Sequence, residues 1–247
     1  MKNETIDKLK KMRLPAFAAK YEEQIKNEND YSSMSFHERL MLLVDAEFDS
    51  ESNNRIMRLV KNANFSEETA SITNIEYLPD RHLDRNLIQI LSSNDYIGNG
   101  KNIILIGATG SGKSYIANAL GMNACQAGYK ARYIRLPEFF ADIEAARVQG
   151  RYQKCMDRYQ KVPLLILDEF LLIPTTDQEQ RDLLELMEYR CNSVSTIFCS
   201  QFEPGGWHER LGGSALADSI LDRIIPVAYK MKIDGDVSMR QRKLMPF

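Results

Sequence analysis

The sequence predicts an α/β fold, a parallel sheet sandwiched by helices, preceded by a smaller all-α region. Three observations predict it. Short apolar runs of strand length alternate with helix-period segments after Asn102. Gly107 to Ser114 fit G-x-x-x-x-G-K-[ST] at every fixed position, with a strand run before and a helical pattern after. Residues 1–65 carry helical periodicity and no strand pattern.

Taken in order, Ile6, Leu9 and Met12 recur at steps of three until Pro15, which opens a second helix carrying Phe17, Tyr21 and Ile25. Ser35-Phe-His-Glu38 has the form of a capping box, with Met34 as an apolar staple, and starts a long helix through Leu40, Leu43, Val44 and Phe48. His37 reads as a surface residue in that helix's first turn. Ser66 to Pro79 is Ser/Thr-rich and reads as a linker, with Ile72, Ile75 and Tyr77 hinting at extended structure. The domains expected are therefore a helical module over 1–70 and a nucleotide module over 71–247. A short helix over 80–91 leads to the first strand, Ile103 to Ile106, and Gly128 ends the helix after the glycine loop. Lys130 to Arg135 makes a second strand and Pro137 starts a helix to about Val148. Val162 to Glu169, four apolar residues ending in two carboxylates, reads as a buried parallel strand, Asp177 to Cys191 as a helix, and Ser195 to Gln201 as a fourth strand. Trp207 and His208 follow in a loop or short helix and read as structural. Leu216 to Ile224 gives a last helix and Val227 to Met231 a last strand.

Bulk properties narrow the function. A chain of 247 residues with 44% hydrophobic content builds an ordinary core. A net charge of −2 excludes a surface that coats polyanions wholesale, so any nucleic-acid contact comes from local patches. Cys125, Cys155, Cys191 and Cys199 are scattered and read as reduced thiols, with no zinc site expected. No apolar signal core opens the chain and no run approaches ~18 apolar residues. A cytoplasmic protein without membrane contact is the expectation.

The glycine loop explains its residue types. Gly107, Gly110 and Gly112 allow tight turns that aim backbone N–H groups at phosphate oxygens, and the helix N-terminus adds partial positive charge. Ala108, Thr109 and Ser111 complete the cradle and Tyr115 follows in the first helical turn. Lys113 supplies a cation to the β/γ-phosphates, and the Ser114 hydroxyl suits magnesium, a hard ion that takes oxygen ligands. Asp168 and Glu169 end an apolar strand at the crevice where such folds bind ligands. Asp168 is placed to hold the metal through a water and Glu169 to deprotonate an attacking water. Ser200 and Gln201 should emerge beside Asp168 if their strands are neighbours. Between Lys130 and Lys161, eight Lys/Arg face four Asp/Glu, with Tyr152 and Tyr159 interleaved. Arg147, Arg151, Tyr152 and Lys154 are there the candidates for DNA backbone and stacking contacts, or else solvate a surface.

These residues resemble a family. Met12-Arg-Leu-Pro15, Ser35-Phe-His-Glu-Arg-Leu40, Leu83-Asp-Arg85, Tyr133-Ile-Arg-Leu-Pro137, Gln180-Arg-Asp-Leu-Leu184 and Leu216-Ala-Asp-Ser-Ile-Leu-Asp-Arg223 are similar to blocks of the IstB-like helper ATPases of insertion sequences. These are AAA+ P-loop NTPases related to the helicase loader DnaC, and the likeness spans essentially the whole chain. The resemblance implies an AAA+ sheet without a full C-terminal lid, and Walker A and B roles for Gly107 to Ser114 and Asp168-Glu169. It puts a first sensor at Ser200-Gln201 and an arginine finger at Arg223, which reads alternatively as a helix C-terminal charge on the dipole. Ser238-Met-Arg240 resembles a short C-terminal block in which Arg240 is a candidate second sensor. It implies ATP and Mg2+ as ligands and ATP hydrolysis that depends on head-to-tail homo-oligomers, as rings or filaments. Duplex DNA and a DDE-type transposase are the implied partners, docking of partners falling to the N-terminal helices. The second reading, a DnaC-like loader gripping single-stranded DNA, stays open.

Overall fold

The computed structural model describes residues 2–235 and 237–242, the side chains of 2, 3 and 240 excepted. It divides into two compact units, Met1–Arg58 and Leu59–Phe247. The first holds α1 (Lys2–Lys11), α2 (Pro15–Lys26) and most of α3 (Phe36–Ala63). Pro15 stands at the start of α2, where its missing N–H costs nothing. At the start of α3 the expected capping box forms: Ser35 N–H donates to Glu38 Oε2 at 2.7 Å and Glu38 N–H to Ser35 Oγ at 3.3 Å. The Ser35 hydroxyl, which donates to Glu38 Oε2 at 2.8 Å, and then the Ser35 N–H hold the Glu38 carboxyl below its ordinary pKa. The small core of Ile6, Ala18 and Leu43 is supplemented by buried polar pairs. Glu47 accepts from Phe17 N–H at 2.7 Å, and Gln24 donates to the Arg39 carbonyl at 3.0 Å.

The second unit adds α4 (Arg85–Ser92), α5 (Asp95–Gly98), β1 (Asn102–Ile106), α6 (Lys113–Gln126), β2 (Ala131–Arg135), α7 (Leu136–Val148) and α8 (Tyr152–Gln160). It continues through β3 (Leu164–Asp168), α9 (Asp177–Arg190), β4 (Ser195–Ser200), α10 (Trp207–Arg210), α11 (Ala215–Ile224), β5 (Ala228–Lys232) and α12 (Met239–Arg242). All five strands are parallel in the order β2-β3-β4-β1-β5. Successive side chains of a strand point to opposite faces. Ile103 and Leu105 accordingly join one apolar cluster with Ile116, Leu120, Ile166 and Ile197, while Ile104 and Ile106 join the other with Leu165, Phe198, Leu186 and Ile220. Helices cover both faces, which is why the strands read as unbroken apolar runs.

The structure departs from the sequence reading at three places. The units part at Arg58 and Leu59, inside α3, whereas composition put the break at residue 70. The reason is packing: Ala63, Phe65 and Ala70 are buried in the larger unit's core, and the Phe65 ring lies against Gly121 of α6. The segment 66–79 is no linker. Ser66 N–H donates to Asn118 Oδ1 of α6 at 3.2 Å, Ile75 is buried, and 3-10 turns at Ile72–Asn74 and Pro79–Arg81 replace the extended structure expected. The helix expected from residue 80 starts at Arg85, capped by Asp84, whose Oδ1 accepts from Leu87 N–H at 3.0 Å. Among the described residues no helix is long and apolar enough to cross a membrane.

Candidate nucleotide-binding site

The candidate site gathers where β1, β3 and β4 end. Leaving β1, the chain makes a loop over 107–112 whose crest, Ala108 and Thr109, is exposed. Gly112, the residue before α6, has φ +95, a left-handed conformation that penalises any Cβ. Gly107 is glycine for a different reason: a Cβ there would stand 2.3 Å from the Ile233 carbonyl oxygen. Lys113 is 8% exposed, and its Nζ donates to the carbonyls of Gly107 and Ala108 at 2.7 and 2.8 Å. Burial lowers its pKa, opposed by Cys199 and Asp168. The ammonium thus rests on two neutral acceptors of its own loop, a pairing that a phosphate oxygen would improve. Ser111 Oγ is buried with no hydrogen-bond partner among the described residues. This donor set, an ammonium, a helix N-terminus and loop N–H groups, fits a polyphosphate.

Asp168 is buried at the end of β3. Its Oδ2 accepts from Tyr133 Oη of β2 at 2.7 Å and its Oδ1 from Glu169 N–H at 2.8 Å. Burial, with the Asp168 charge second, pushes the Tyr133 phenol well above its usual range, so it stays a donor. Glu169 has φ +53, and its Oε1 lies 3.8 Å from Arg135 Nη1, a guanidinium that also pairs with Glu138. On β4, Ser200 is committed internally: its Oγ donates to the Phe170 carbonyl at 2.9 Å and accepts from Trp207 Nε1 at 3.1 Å. Gln201 is exposed and lines a cavity of about 570 Å³ with Gly107, Ala108 and Lys232.

On the loop's other side lies a cavity of about 380 Å³ bounded by Gly110, Lys113, Ser114 and Tyr115. Its far wall is Glu67, Thr69, Asn74 and Glu76, from the segment that composition read as a linker, together with Arg81 just after it. Arg81 is a buried cation whose Nη2 donates to the Ser111 carbonyl at 2.9 Å, with Nη1 on the Glu76 carbonyl. Its Nε has no partner among the described residues. No sequence motif pointed to Arg81, and Tyr133 stood only in a family-like block with no role given to it. The buried Ile75 and the strand alternation that puts Tyr133 and Arg135 on one face were the available signals. Met239 N–H of α12 donates to the Gly110 carbonyl at 2.8 Å, so the segment after β5 also touches the loop. The side chain of the candidate second sensor, Arg240, lies outside the described residues.

The remaining candidates lie elsewhere. Arg223 is near the end of α11, where the neighbouring Ile224 carbonyl accepts from Asn102 at the start of β1, the sheet edge opposite the loop. Its guanidinium donates to the Ser219 carbonyl at 2.7 Å and to Glu188 Oε1 at 3.1 Å. Of the basic candidates, Arg147 is bound to Asp182 at 2.6 Å and to Glu144. Tyr152 Oη donates to Glu185 at 2.6 Å. These two knit α7 and α8 to α9, while Arg151 and Lys154 are exposed.

Comparison with known proteins places this geometry. The sequence model of the family described as IstB-like ATP binding protein matches residues 7–245. The chain is similar to the insertion sequence ATP-binding protein y4pL of Sinorhizobium fredii, 34% identical over 97% of both chains. It is 36% identical to the ATP-binding protein of insertion sequence IS1162 from Pseudomonas fluorescens, over 81% of this chain and 87% of that one. Among solved structures it resembles DnaI (TM-score 0.59, 23% identity, 74% of this chain and 100% of that one). It also resembles AMPPCP-bound DnaA from Aquifex aeolicus (TM-score 0.55, 20% identity, 71% and 54%). At these identities the structural likeness shows a shared fold.

Proposed function

The chain belongs to the family of IstB-like ATP-binding proteins, and we propose that it is an ATP-hydrolysing helper of insertion-sequence transposition. The observation that carries this is Lys113, buried and held, among the described residues, by its own loop's carbonyls, with Asp168 and Glu169 two strands away at the same sheet edge. In this reading the loop N–H groups and Lys113 bind the β- and γ-phosphates, Lys113 exchanging two carbonyls for charged oxygens. The adenosine part enters the cavity walled by residues 67–81. Ser114 and Asp168 would hold a magnesium ion, which supplies positive charge at the phosphates. Glu169 takes a proton from the attacking water and Gln201 orients that water or the γ-phosphate.

Arg223 is the arginine lent to the next copy's site. Its place at the sheet edge away from its own loop supports action in trans, and such a contact joins unlike faces head to tail. Hydrolysis then depends on assembly, since an arginine finger contributes ~10³ to 10⁵ in rate in related systems. The assembled protein binds duplex DNA, with Arg151 and Lys154 as contacts, and stimulates a DDE-type transposase. Electron microscopy with ATP, with and without long duplex, tests this. Rings or filaments forming on duplex are expected; indifference to duplex with capture of a helicase hexamer would replace the reading with that of a loader.

A further inference from the structure

Phe36, Leu40, Val44 and Phe48 follow one another along α3 at steps of four, so they form one ridge of the helix, with Met41 beside it. All are exposed: 81%, 37%, 51% and 72% for the ridge and 49% for Met41. The adjoining row of α3, three residues on from Leu40 and Val44, supplies Leu43 and Glu47 to the interior of its unit, so the helix is already anchored without this ridge. From Phe36 to Phe48 the ridge runs about 18 Å at ~1.5 Å per residue. A contiguous apolar surface of this kind marks a contact site, and one helix laid into such a ridge is the packing that steps of four favour.

Charge says what kind of helix. Glu38, Asp45 and Asp49, at spacings of seven and four, make an exposed acidic row to one side, and exposed Glu51 follows along the ridge's own line, seven residues past Val44. The ion pairs of this unit join Lys8 to Glu4, Lys20 to Glu23 and Lys26 to Glu22. They leave Asp45, Asp49 and Glu51 without a cation among the described residues. A parallel second copy of α3 would bring these carboxylates together, which disfavours it. We infer that this face of α3 is the docking site for a basic amphipathic helix of a separate protein, apolar side chains on the ridge and Lys/Arg on the acidic row. The inference rests on the reading that the N-terminal helices dock a partner, and it names the chemistry of that partner.

The test is fluorescence anisotropy of a labelled amphipathic peptide of about five helical turns, leucines on one face and arginines on its flanks, titrated with the full chain. A companion peptide carries glutamates in place of the arginines. The basic peptide is expected to bind and the acidic one not. Phe48→Ser should weaken binding about tenfold or more, the loss expected for one large apolar contact. Asp45→Lys with Asp49→Lys should invert the preference between peptides. Equal binding of both peptides, or an unchanged affinity in Phe48→Ser with native circular dichroism, would overturn the proposal. So would light scattering showing a dimer that Phe48→Ser dissolves, which assigns the ridge to a second copy. ATP affinity measured on the same variants keeps the two readings separate: its absence with peptide binding intact sinks the ATPase and spares the docking site.

Discussion

At the scale of single residues, the candidate site is a set of charges held ready by weak partners. Lys113→Ala should abolish ATP binding in calorimetry, because no other described side chain places an ammonium inside the loop. Glu169→Gln keeps shape and hydrogen bonding but not basicity; ATP affinity should persist while turnover in a phosphate-release assay falls about 10²-fold or more. Tyr133→Phe removes the Tyr133 hydroxyl that donates to Asp168 Oδ2. A freer carboxylate should raise the magnesium concentration needed for tight binding of a fluorescent ATP analogue several-fold, with binding in the absence of metal unchanged. Lys113, Asp168 and Glu169 were legible in the sequence because phosphate chemistry demands those residue types at fixed spacing beside a strand. Tyr133 and Arg81 were not. Their contacts cross from β2 to β3 and from residue 81 to the loop, and nothing in local spacing encodes such neighbours.

Elements show a different division. Strands β1, β3 and β4 and helices α2, α3 and α9 announced themselves through apolar runs, Pro15 and caps. The capping box at Thr176 and Glu179, which opens α9, repeats the signature seen at Ser35. Helix α8 was hidden because its sequence is mostly polar and only Met156, Tyr159 and Gln160 are buried. The short 3-10 turns of 72–81 have no period long enough to read. What joins α9 to the sheet is Arg190, fully enclosed and donating to the Tyr159, Gln160, Val162 and Ser195 carbonyls and to Thr196 Oγ1. Arg190→Met would leave those acceptors dry. A loss of about 3 to 5 kcal/mol in urea unfolding is expected, near the scale for breaking a buried charged network. The same helix carries Glu188, the in-subunit partner of Arg223. Glu188→Ala therefore frees that guanidinium and should raise ATP turnover at subsaturating protein concentration if Arg223 acts in the neighbouring site.

For the whole molecule, head-to-tail action makes a sharp demand. Glu169→Gln and Arg223→Ala should each be nearly inactive alone, yet mixing them should restore turnover, since about a quarter of randomly formed interfaces pair an intact base with an intact arginine. No recovery on mixing would remove the trans assignment. The unit boundary at Arg58 also shows how far composition can mislead: a Ser/Thr-rich stretch looked like a linker, but buried Ala70 and Ile75 bind it into the larger unit's core. Finally, β1 pairs only with β4 and β5, both encoded far downstream: Ile103 lies beside Ile197 and Tyr229. A ribosome adds ~5–20 residues per second, so β1 and its loop wait on the order of ten seconds for the strands that frame them. The growing polypeptide must therefore stay out of aggregates without any help from ATP, and the nucleotide can reward folding only once β5 has been made.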